Sequence, residues 1–207
     1  MSEFVTVYTD SLDTEKAYRL IIGCVVPRPI AWITTLGENG VVNAAPFSSY
    51  NYVAHSPPMV AVNIGSRDGE LKDTARNMLA TREFVVNVTT EDQLDVMHKC
   101  GFDYPVDVSE TAELDIELLP GECVRVPRIA SSPIQMECRL EQSITLGRGL
   151  NTLYIGEVIA FHLRTDVYKD GRVDSAKLRP LGRLAGPNYT GLGEIFVRRM
   201  LQRPPRG

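Results

Sequence analysis

The sequence predicts a mainly β fold, in which a barrel of strands carries a few short helices at its periphery. Between five and seven segments are rich in β-branched and aromatic residues and have the length of strands. Helical patterns are few and short. Strands and helices also do not alternate along the chain, which argues against a doubly wound sheet.

The N-terminal part predicts one helix. Thr14–Ile22 has helical character, with Asp13 as an acidic N-cap and Gly23 as a C-cap. Two prolines in residues 26–29 (Val-Pro-Arg-Pro) end this helix and hold the next segment extended.

Two apolar strands are predicted next, at Ile30–Leu36 and Met59–Ile64. Between them, residues 37–40 (Gly-Glu-Asn-Gly) predict a hairpin turn and residues 48–51 a polar loop. Further strands are predicted at Phe84–Val88, Cys123–Val126, Ile134–Leu146 and Leu153–Arg164.

Two more helices are predicted between these strands. One covers residues 72–81, with Asp73 or Thr74 as its cap. The other covers residues 91–99, and Thr90 before it begins a capping-box pattern.

The remaining segments are mostly loops. Residues 100–121 are acidic and predict a long loop with one helical turn, and loops of this length are often functional. Residues 169–171 (Lys-Asp-Gly) predict a turn, residues 181–189 a glycine-containing loop, and Glu194–Leu201 a short helix. Residues 202–207 are expected to form a flexible tail.

Composition excludes several classes of protein. The 207 residues are 43% hydrophobic and 23% charged, with a net charge of −4, which argues against a nucleic-acid surface. No apolar run approaches the ~20 residues of a membrane span, and the acidic N-terminus does not resemble a secretion signal. We therefore expect one cytoplasmic domain over residues 1–207, with its core at about 14–189 and no membrane contact.

Metal binding is not expected. The four cysteines lack any C-x-x-C spacing and are interpreted as reduced thiols, with Cys24 and Cys138 in apolar surroundings. The three histidines, His55, His98 and His162, are scattered along the chain, whereas a zinc site needs ligands at short spacing.

A cluster of donors after the second apolar strand is typical of a phosphate site. Arg67 offers a bidentate fork, Lys72 a point charge, and Thr74 a hydroxyl at the start of a helix. Ser48 and Ser49 could add hydroxyl donors. The alternative is that these charges belong to a solvated turn, as surface charges usually do.

Apolar and amide side chains nearby suit a flavin ring, which needs an apolar slot with a few hydrogen-bonding groups. Trp32 and Phe47 could line such a slot, although ordinary core packing is the alternative for both. Asn63 and Asn87 interrupt apolar strands, so each is either satisfied by neighbouring backbone or faces a ligand.

Several motifs together resemble the flavin reductase-like family of FMN-binding split barrels. They are PRPIAWITT, NAAPFSSYN, PPMVAVNIG, KDTARN, EFVVNV, GFDYPVDVSE, VPRIASSPIQMECRL, YIGEVIAFH and PLGRLAGPNY. Their order and spacing carry the resemblance, which extends from about Thr14 to Tyr189. It implies a six-stranded, Greek-key-like split barrel that forms a homodimer, with two FMN sites at or near the subunit interface.

The resemblance also implies roles for particular residues. Those expected to bind FMN are Arg28, Pro29, Trp32, Thr34, Phe47, Ser48, Ser49, Tyr50, Asn51, Gly65, Ser66, Arg67, Lys72, Asp73 and Thr74. Within this set, Arg67, Lys72 and Thr74 are expected to hold the phosphate. Arg183 and Tyr189 are expected to approach the ring, and Arg28, Arg183 and His162 are candidates for tuning the flavin.

The function implied is an NAD(P)H:flavin oxidoreductase, with NADH or NADPH as co-substrate and a monooxygenase or other redox protein as a possible user of reduced FMN. The cofactor carries the hydride chemistry, so no nucleophilic triad is required. Two alternatives remain open: a flavoredoxin-like electron carrier that holds FMN tightly, and an FMN-dependent oxidase or oxygenase of a small substrate.

Overall fold

The centre of the structure, a computed structural model that describes residues 3–148 and 151–198, is an antiparallel sheet of seven strands. The strands are β1 Ala31–Leu36, β2 Val42–Phe47, β3 Tyr50–His55, β4 Pro58–Gly65, β5 Glu83–Val88, β6 Ile134–Leu146 and β7 Asn151–Leu163. Their order in the sheet is β2-β1-β5-β6-β7-β4-β3.

Short elements surround the sheet. The helices are α1 Thr14–Cys24, α2 Asp73–Thr81, α3 Leu94–Lys99, α4 Glu110–Glu113 and α5 Ser175–Leu178, with 3-10 turns at Thr9–Ser11 and Glu91–Gln93. Paired short strands are Leu118–Leu119 with Arg128–Ile129, Tyr168–Lys169 with Arg172–Val173, and a three-stranded ribbon of Arg28–Pro29, Gly182–Arg183 and Tyr189–Thr190.

The connection between β2 and β3 closes the sheet into a barrel at one end. These strands lie at opposite edges of the hydrogen-bonded order, yet only Ser48 and Ser49 separate them along the chain. A link of this length spans roughly 10 Å at most, so the two edges must meet there. The backbone N–H of Asn63 on β4 also donates to the carbonyl of Ser49 (2.8 Å), which continues the β3–β4 pairing into the link.

Strand β1 is buried on both faces. Ile33 points into the main core, with Val60, Val62 and Ile64 of β4 and Phe84 of β5. Trp32, on the opposite face of β1, packs in a second cluster that includes residues of α3 and of the long loop after it. Because both faces are covered, the side chains of β1 are structural.

The main sheet has seven strands, which is within the range predicted from the residues, and the six-stranded count that the resemblance implies is not confirmed. The turn predicted at residues 37–40 is present, but β2 after it was not predicted as a strand, and β3 begins at residues 50–51, which were expected to be loop. Between Val42 and Phe47, strand β2 contains Asn43, two alanines and Pro46, which are poor strand formers. Its pairing with β1 is therefore set by the tertiary structure. The Greek-key order stays a prediction.

Most other elements are confirmed, with three corrections. Asp13 does cap α1, its Oδ1 accepting the N–H of Lys16 (2.8 Å), but the helix continues through Gly23 to Cys24. Helix α2 begins at Asp73, and Lys72 occupies its N-cap position. Cys123–Val126 is not a strand, because the carboxylate of a β6 residue binds the backbone N–H groups of this segment.

Of the elements predicted in the C-terminal part, the turn is present and the described part of the helix is not. The turn at 169–171 is confirmed, and Asp170 and Gly171 have the positive φ angles (50° and 77°) that a tight hairpin requires. Residues 194–198 are not helical, and the rest of the helix expected at Glu194–Leu201 lies outside the described residues, as does the tail 202–207. Cys24 is exposed and not in apolar surroundings, whereas Cys138 is buried.

Candidate functional site

An open cleft lies between β2, the start of α2 and the long loop that follows α3. Five residues expected to bind FMN line it: Phe47, Arg67, Lys72, Asp73 and Thr74. The opposite wall consists of Cys100–Phe102, Tyr104 and Glu110. The cleft thus combines cations with aromatic side chains.

The cationic end is built around the start of α2. No side chain caps this helix, so the backbone N–H groups of its first turn are available to an anion. The half-buried Lys72 forms no ion pair with a described carboxylate. Its pKa lies below the usual value because of burial and the nearby Arg67 charge, which outweigh the opposing effect of Asp103. An uncompensated cation in a partly buried position favours an anionic ligand.

A tight turn positions Arg67 beside this helix start. Arg67 and Glu70 exchange two backbone hydrogen bonds (2.9 and 2.7 Å) across Asp68 and Gly69, whose φ angles are 50° and 84°. The Arg67 guanidinium forms an ion pair with Asp103. Gly65 and Ser66 connect β4 to the turn and do not line the cleft.

Thr74 is buried at the floor of the cleft. Its Oγ1 accepts a hydrogen bond from Nδ2 of Asn43 (2.8 Å), which is also buried. Among the described residues, the Thr74 hydroxyl proton has no acceptor, so this group remains able to donate to a ligand. Asp73 is held by Arg76 one turn along the helix (2.5 Å).

The residues after Phe47 continue away from the cleft. Ser48 is half-buried and Ser49 exposed in the link between the sheet edges. Tyr50 packs against the main core, and burial raises the pKa of its phenol. Asn51 is exposed and accepts the N–H of its neighbour Tyr52 (2.9 Å). These four residues adjoin the Phe47 wall and do not line the cleft itself.

Trp32 and Thr34 do not line the cleft, because both are fully buried in β1. Thr34 Oγ1 donates to the carbonyl of Pro127 (2.7 Å) and accepts from Asn87 Nδ2 (3.3 Å). Trp32 packs in the second core cluster, as ordinary core packing would place it. Contact of either residue with a flavin stays a prediction.

Arg28 is also structural. Its guanidinium donates to the carbonyls of Ile22 (2.6 Å), Val25 (2.7 Å) and Leu184 (3.1 Å). It therefore joins the end of α1 to the C-terminal segment, and its contact with a flavin stays a prediction. The adjacent Pro29 is exposed in the ribbon.

The two asparagines in apolar strands, Asn87 and Asn63, differ in whether their side chains are hydrogen-bonded. Asn87 is satisfied, since its amide donates to the carbonyl of Trp32 (3.0 Å) and accepts the N–H of Ile129 (2.9 Å). Asn63 Oδ1 is buried and has no hydrogen-bond partner within the described part of the chain.

His162 does not line the cleft, and its role in flavin tuning stays a prediction. Its Nε2 is 2.6 Å from Oε1 of Glu137, a fully buried residue of β6. Burial alone would raise the pKa of Glu137, but three backbone N–H donors and His162 outweigh it and lower the pKa. His162 is thus a strand histidine satisfied by its neighbour.

Arg183 and Tyr189 form a cluster beside the cleft with His98, which the sequence did not predict as a site residue. The Arg183 guanidinium lies over the Tyr189 ring (4.4 Å to its centroid) and donates to its hydroxyl. His98 Nδ1 is 2.9 Å from the same hydroxyl, and its ring contacts Phe102 edge-on. No spacing signal connects His98 with Tyr189, because 91 positions separate them.

Glu110 is the one buried carboxyl group among the side chains that line the cleft. It is 6% exposed, and its Oε2 accepts the backbone N–H of Ala44 (2.9 Å). Burial raises the pKa of this carboxyl group, and the N–H bond opposes the shift only in part. Its neutral form is therefore favoured more than that of an exposed glutamate.

No three histidine, cysteine, aspartate or glutamate side chains gather into a possible metal site in residues 3–148 and 151–198. In the same ranges, no helix combines the length and apolar character needed to cross a bilayer.

Known proteins are similar to this chain over most of its length. The family described as "Flavin reductase like domain" matches residues 22–177. An uncharacterized protein of Halalkalibacterium halodurans is 41% identical over 90% of this chain and 92% of its own length. The chain is also similar to nitrilotriacetate monooxygenase component B from Bacillus cereus, with 34% identity, a TM-score of 0.92 and coverage of 95% of this chain and 100% of that one.

A second solved structure is nearly as similar. It is 2-nitrobenzoate 2-nitroreductase from Pseudomonas fluorescens, with 32% identity, a TM-score of 0.85 and coverage of 97% of this chain and 100% of the other. The family match covers most of the sequence, and the similar structures cover nearly all of it. The chain belongs to the family of flavin reductase-like domains.

Proposed function

We propose that the cleft binds FMN and that the protein is an NAD(P)H:flavin oxidoreductase. One observation carries the proposal: the half-buried Lys72, which has no ion pair with a described carboxylate, lies beside Arg67 at a helix start that no described side chain caps, in the same cleft as Phe47. Cations and free backbone donors favour a phosphate, and a flavin needs an apolar wall. The residues present fit both requirements.

In this proposal each part of the cleft has one task. Arg67, Lys72 and Thr74 hold the phosphate through charge-assisted hydrogen bonds, and Phe47 with the Ser48–Ser49 link borders the ring. Bound FMN would accept a hydride from NADH or NADPH, which is chemistry that the cofactor supplies. The protein's task is to orient the two rings and to exclude water between them.

Similarity to a monooxygenase component supports a role in supplying reduced flavin. The Bacillus cereus protein, at 34% identity over its whole length, is named as component B of nitrilotriacetate monooxygenase. We infer that a separate monooxygenase is a partner of this chain as well. A cytoplasmic location and a single domain over residues 1–207 remain predictions.

We also propose a homodimer, because no residue of α1 is fully buried against the described chain. Its apolar residues Tyr18, Leu20 and Ile21 are 62%, 44% and 58% exposed, and Phe4 before it is 94% exposed. Apolar surface of this extent on one segment is typical of an interface. A second copy of the chain is the occupant that we propose.

The phosphate site is tested by the double variant Arg67→Ala/Lys72→Ala. FMN affinity should fall by about 2–4 kcal/mol, since charge-assisted bonds to phosphate are strong. Affinity for riboflavin, which has no phosphate, should change little. A matched control is Lys169→Ala/Arg172→Ala, which removes two exposed cations from the distant hairpin. Unchanged FMN affinity in the first variant would refute the site.

The reaction is tested by anaerobic mixing of the FMN-loaded protein with NADH and with NADPH. Fast bleaching near ~450 nm, where oxidised flavin absorbs, supports the reductase. Slow bleaching with FMN retained through desalting supports the flavoredoxin-like carrier instead.

A second candidate function follows from the similarity to a nitroreductase at 32% identity. In this alternative the reduced flavin transfers electrons to a small nitroaromatic acceptor and not to a protein partner. Turnover of 2-nitrobenzoate with NADH or NADPH under anaerobic conditions distinguishes it from simple release of reduced flavin.

A further inference from the structure

The Asp103 carboxylate forms an ion pair with Arg67, one of the two cations of the proposed phosphate site. Asp103 belongs to the loop after α3. Two tight turns fix the start of that loop, because the N–H groups of Gly101 and Phe102 donate to the carbonyls of His98 (3.0 Å) and Lys99 (3.1 Å). The carboxylate is thus presented to the cleft by a locally constrained segment.

Among the described carboxylates, Asp103 is the one that forms an ion pair with Arg67, a cation that lines the cleft. Asp73 is engaged by Arg76, and Glu110 is buried where it binds the N–H of Ala44. The charge of Asp103 also acts on Lys72, whose pKa it raises against the effects of burial and Arg67. A phosphate that enters this end therefore meets one negative charge already paired with Arg67.

We propose that Asp103 is a built-in competitor for the phosphate and sets how tightly the chain holds phosphorylated flavin. The Arg67 guanidinium must exchange the Asp103 carboxylate for the phosphate when FMN binds, and like charges then repel across the cleft. The inference rests on the proposed FMN site and adds a consequence for its use. A weakened phosphate site favours exchange of FMN with solution over permanent retention.

Both partners of the pair are partly exposed, at 49% and 68% of their side-chain surface, so the exchange requires no disruption of the core. The loop also contributes Phe102 and Tyr104 to the wall of the cleft. Asp103 therefore belongs to the same loop segment as the aromatic wall of the cleft.

The test is Asp103→Asn, titrated with FMN and with riboflavin while flavin fluorescence is followed. We expect FMN to bind about tenfold more tightly than to the wild type, because a like charge near the phosphate has been removed. Riboflavin affinity should stay within about twofold, since it has no phosphate for Asp103 to repel. Asp107→Asn is the matched control, with the same charge change on the same loop at an exposed residue.

The outcomes separate this inference from the proposed function. If wild type prefers FMN over riboflavin but Asp103→Asn binds FMN no more tightly, Asp103 is not a competitor and only this inference fails. An equal gain in Asp107→Asn also overturns it, because the effect is then general electrostatics. If wild type binds FMN and riboflavin equally, the phosphate site itself is wrong. Asp103→Ser, which cannot pair with Arg67, repeats the test without an amide at this position.

Discussion

The Glu137 carboxylate lies 2.6 Å from Nε2 of His162 and also accepts the backbone N–H groups of residues 122–124. One buried charge thereby fixes a loop and a neighbouring strand. It explains why residues 123 and 124 do not pair as a strand, since their N–H groups already donate to this carboxylate. It also holds the imidazole of His162.

Glu137→Gln should destabilise the fold by about 3 kcal/mol at neutral pH, because an amide group cannot accept all of these donors. The pKa of Glu137 is lowered from 4.5, so its contribution is present above about pH 4.5 and is lost as the pH falls through the lowered value. Urea unfolding across this pH range measures both effects.

The control for that experiment is Glu141→Gln, an exposed position on the same strand. It should change stability by less than about 0.5 kcal/mol. A Glu137→Gln variant as stable as this control, or one with the same acid sensitivity as wild type, would contradict the structural role.

Lys72 predicts a pH dependence of FMN binding. Its pKa in the free protein is lowered from 10.5, so FMN affinity should decline as the pH rises toward that lowered value and the cation is lost. Lys72→Arg should remove this decline, because arginine remains charged. The ratio of FMN to riboflavin affinity is the quantity to measure, since titration of the flavin ring cancels in it. A ratio that is constant up to pH 10 in wild type contradicts the prediction.

Arg28→Ala should destabilise the protein by about 2 kcal/mol, since three carbonyls lose a charged donor. Thermal unfolding measures the loss. The redox potential of bound FMN should be unchanged, because Arg28 is committed to the end of α1. Arg19→Ala, which removes an exposed ion pair with Glu15, is the control and should cost less than about 0.5 kcal/mol. A shifted potential in Arg28→Ala would restore its role in flavin tuning.

Gly156→Ala should destabilise the barrel by about 1–3 kcal/mol through overpacking. A Cβ atom at Gly156 would lie 2.4 Å from Cζ of Phe84, which is fully buried and has no room to move. Equilibrium unfolding in urea gives the magnitude. Adding Phe84→Leu to this variant should recover part of the lost unfolding free energy. If the two substitutions instead lower that free energy additively, Gly156 and Phe84 do not clash.

The sequence predicted some parts of this structure well and others poorly, for physical reasons. Strand β6 was predicted with its observed bounds because its β-branched and apolar residues carry a local signal. Strand β2 carries a weaker signal, because an asparagine, two alanines and a proline separate Val42 from Phe47. Trp32 could not be assigned from sequence, because nothing local reveals that β1 is covered on both faces.

The same contrast applies to the cleft. Arg67, Lys72 and Thr74 lie within eight positions of one another, so sequence alone could group them, and the structure brings them into one cleft. Asp103 and His98 reach the cleft or its border only through the fold. Their contacts depend on where the long loop returns, which no spacing pattern encodes.

The two-residue link from β2 to β3 limits which insertions the sequence can accept. Because Ser48 and Ser49 alone carry the chain from one sheet edge to the other, an inserted residue would let the edges separate and would shift Phe47 and Tyr50 together. The link can therefore vary in side chain but not in length. Differences in ligand preference among relatives that share this closure should arise from substitutions there, and insertions should concentrate in loops such as residues 100–108.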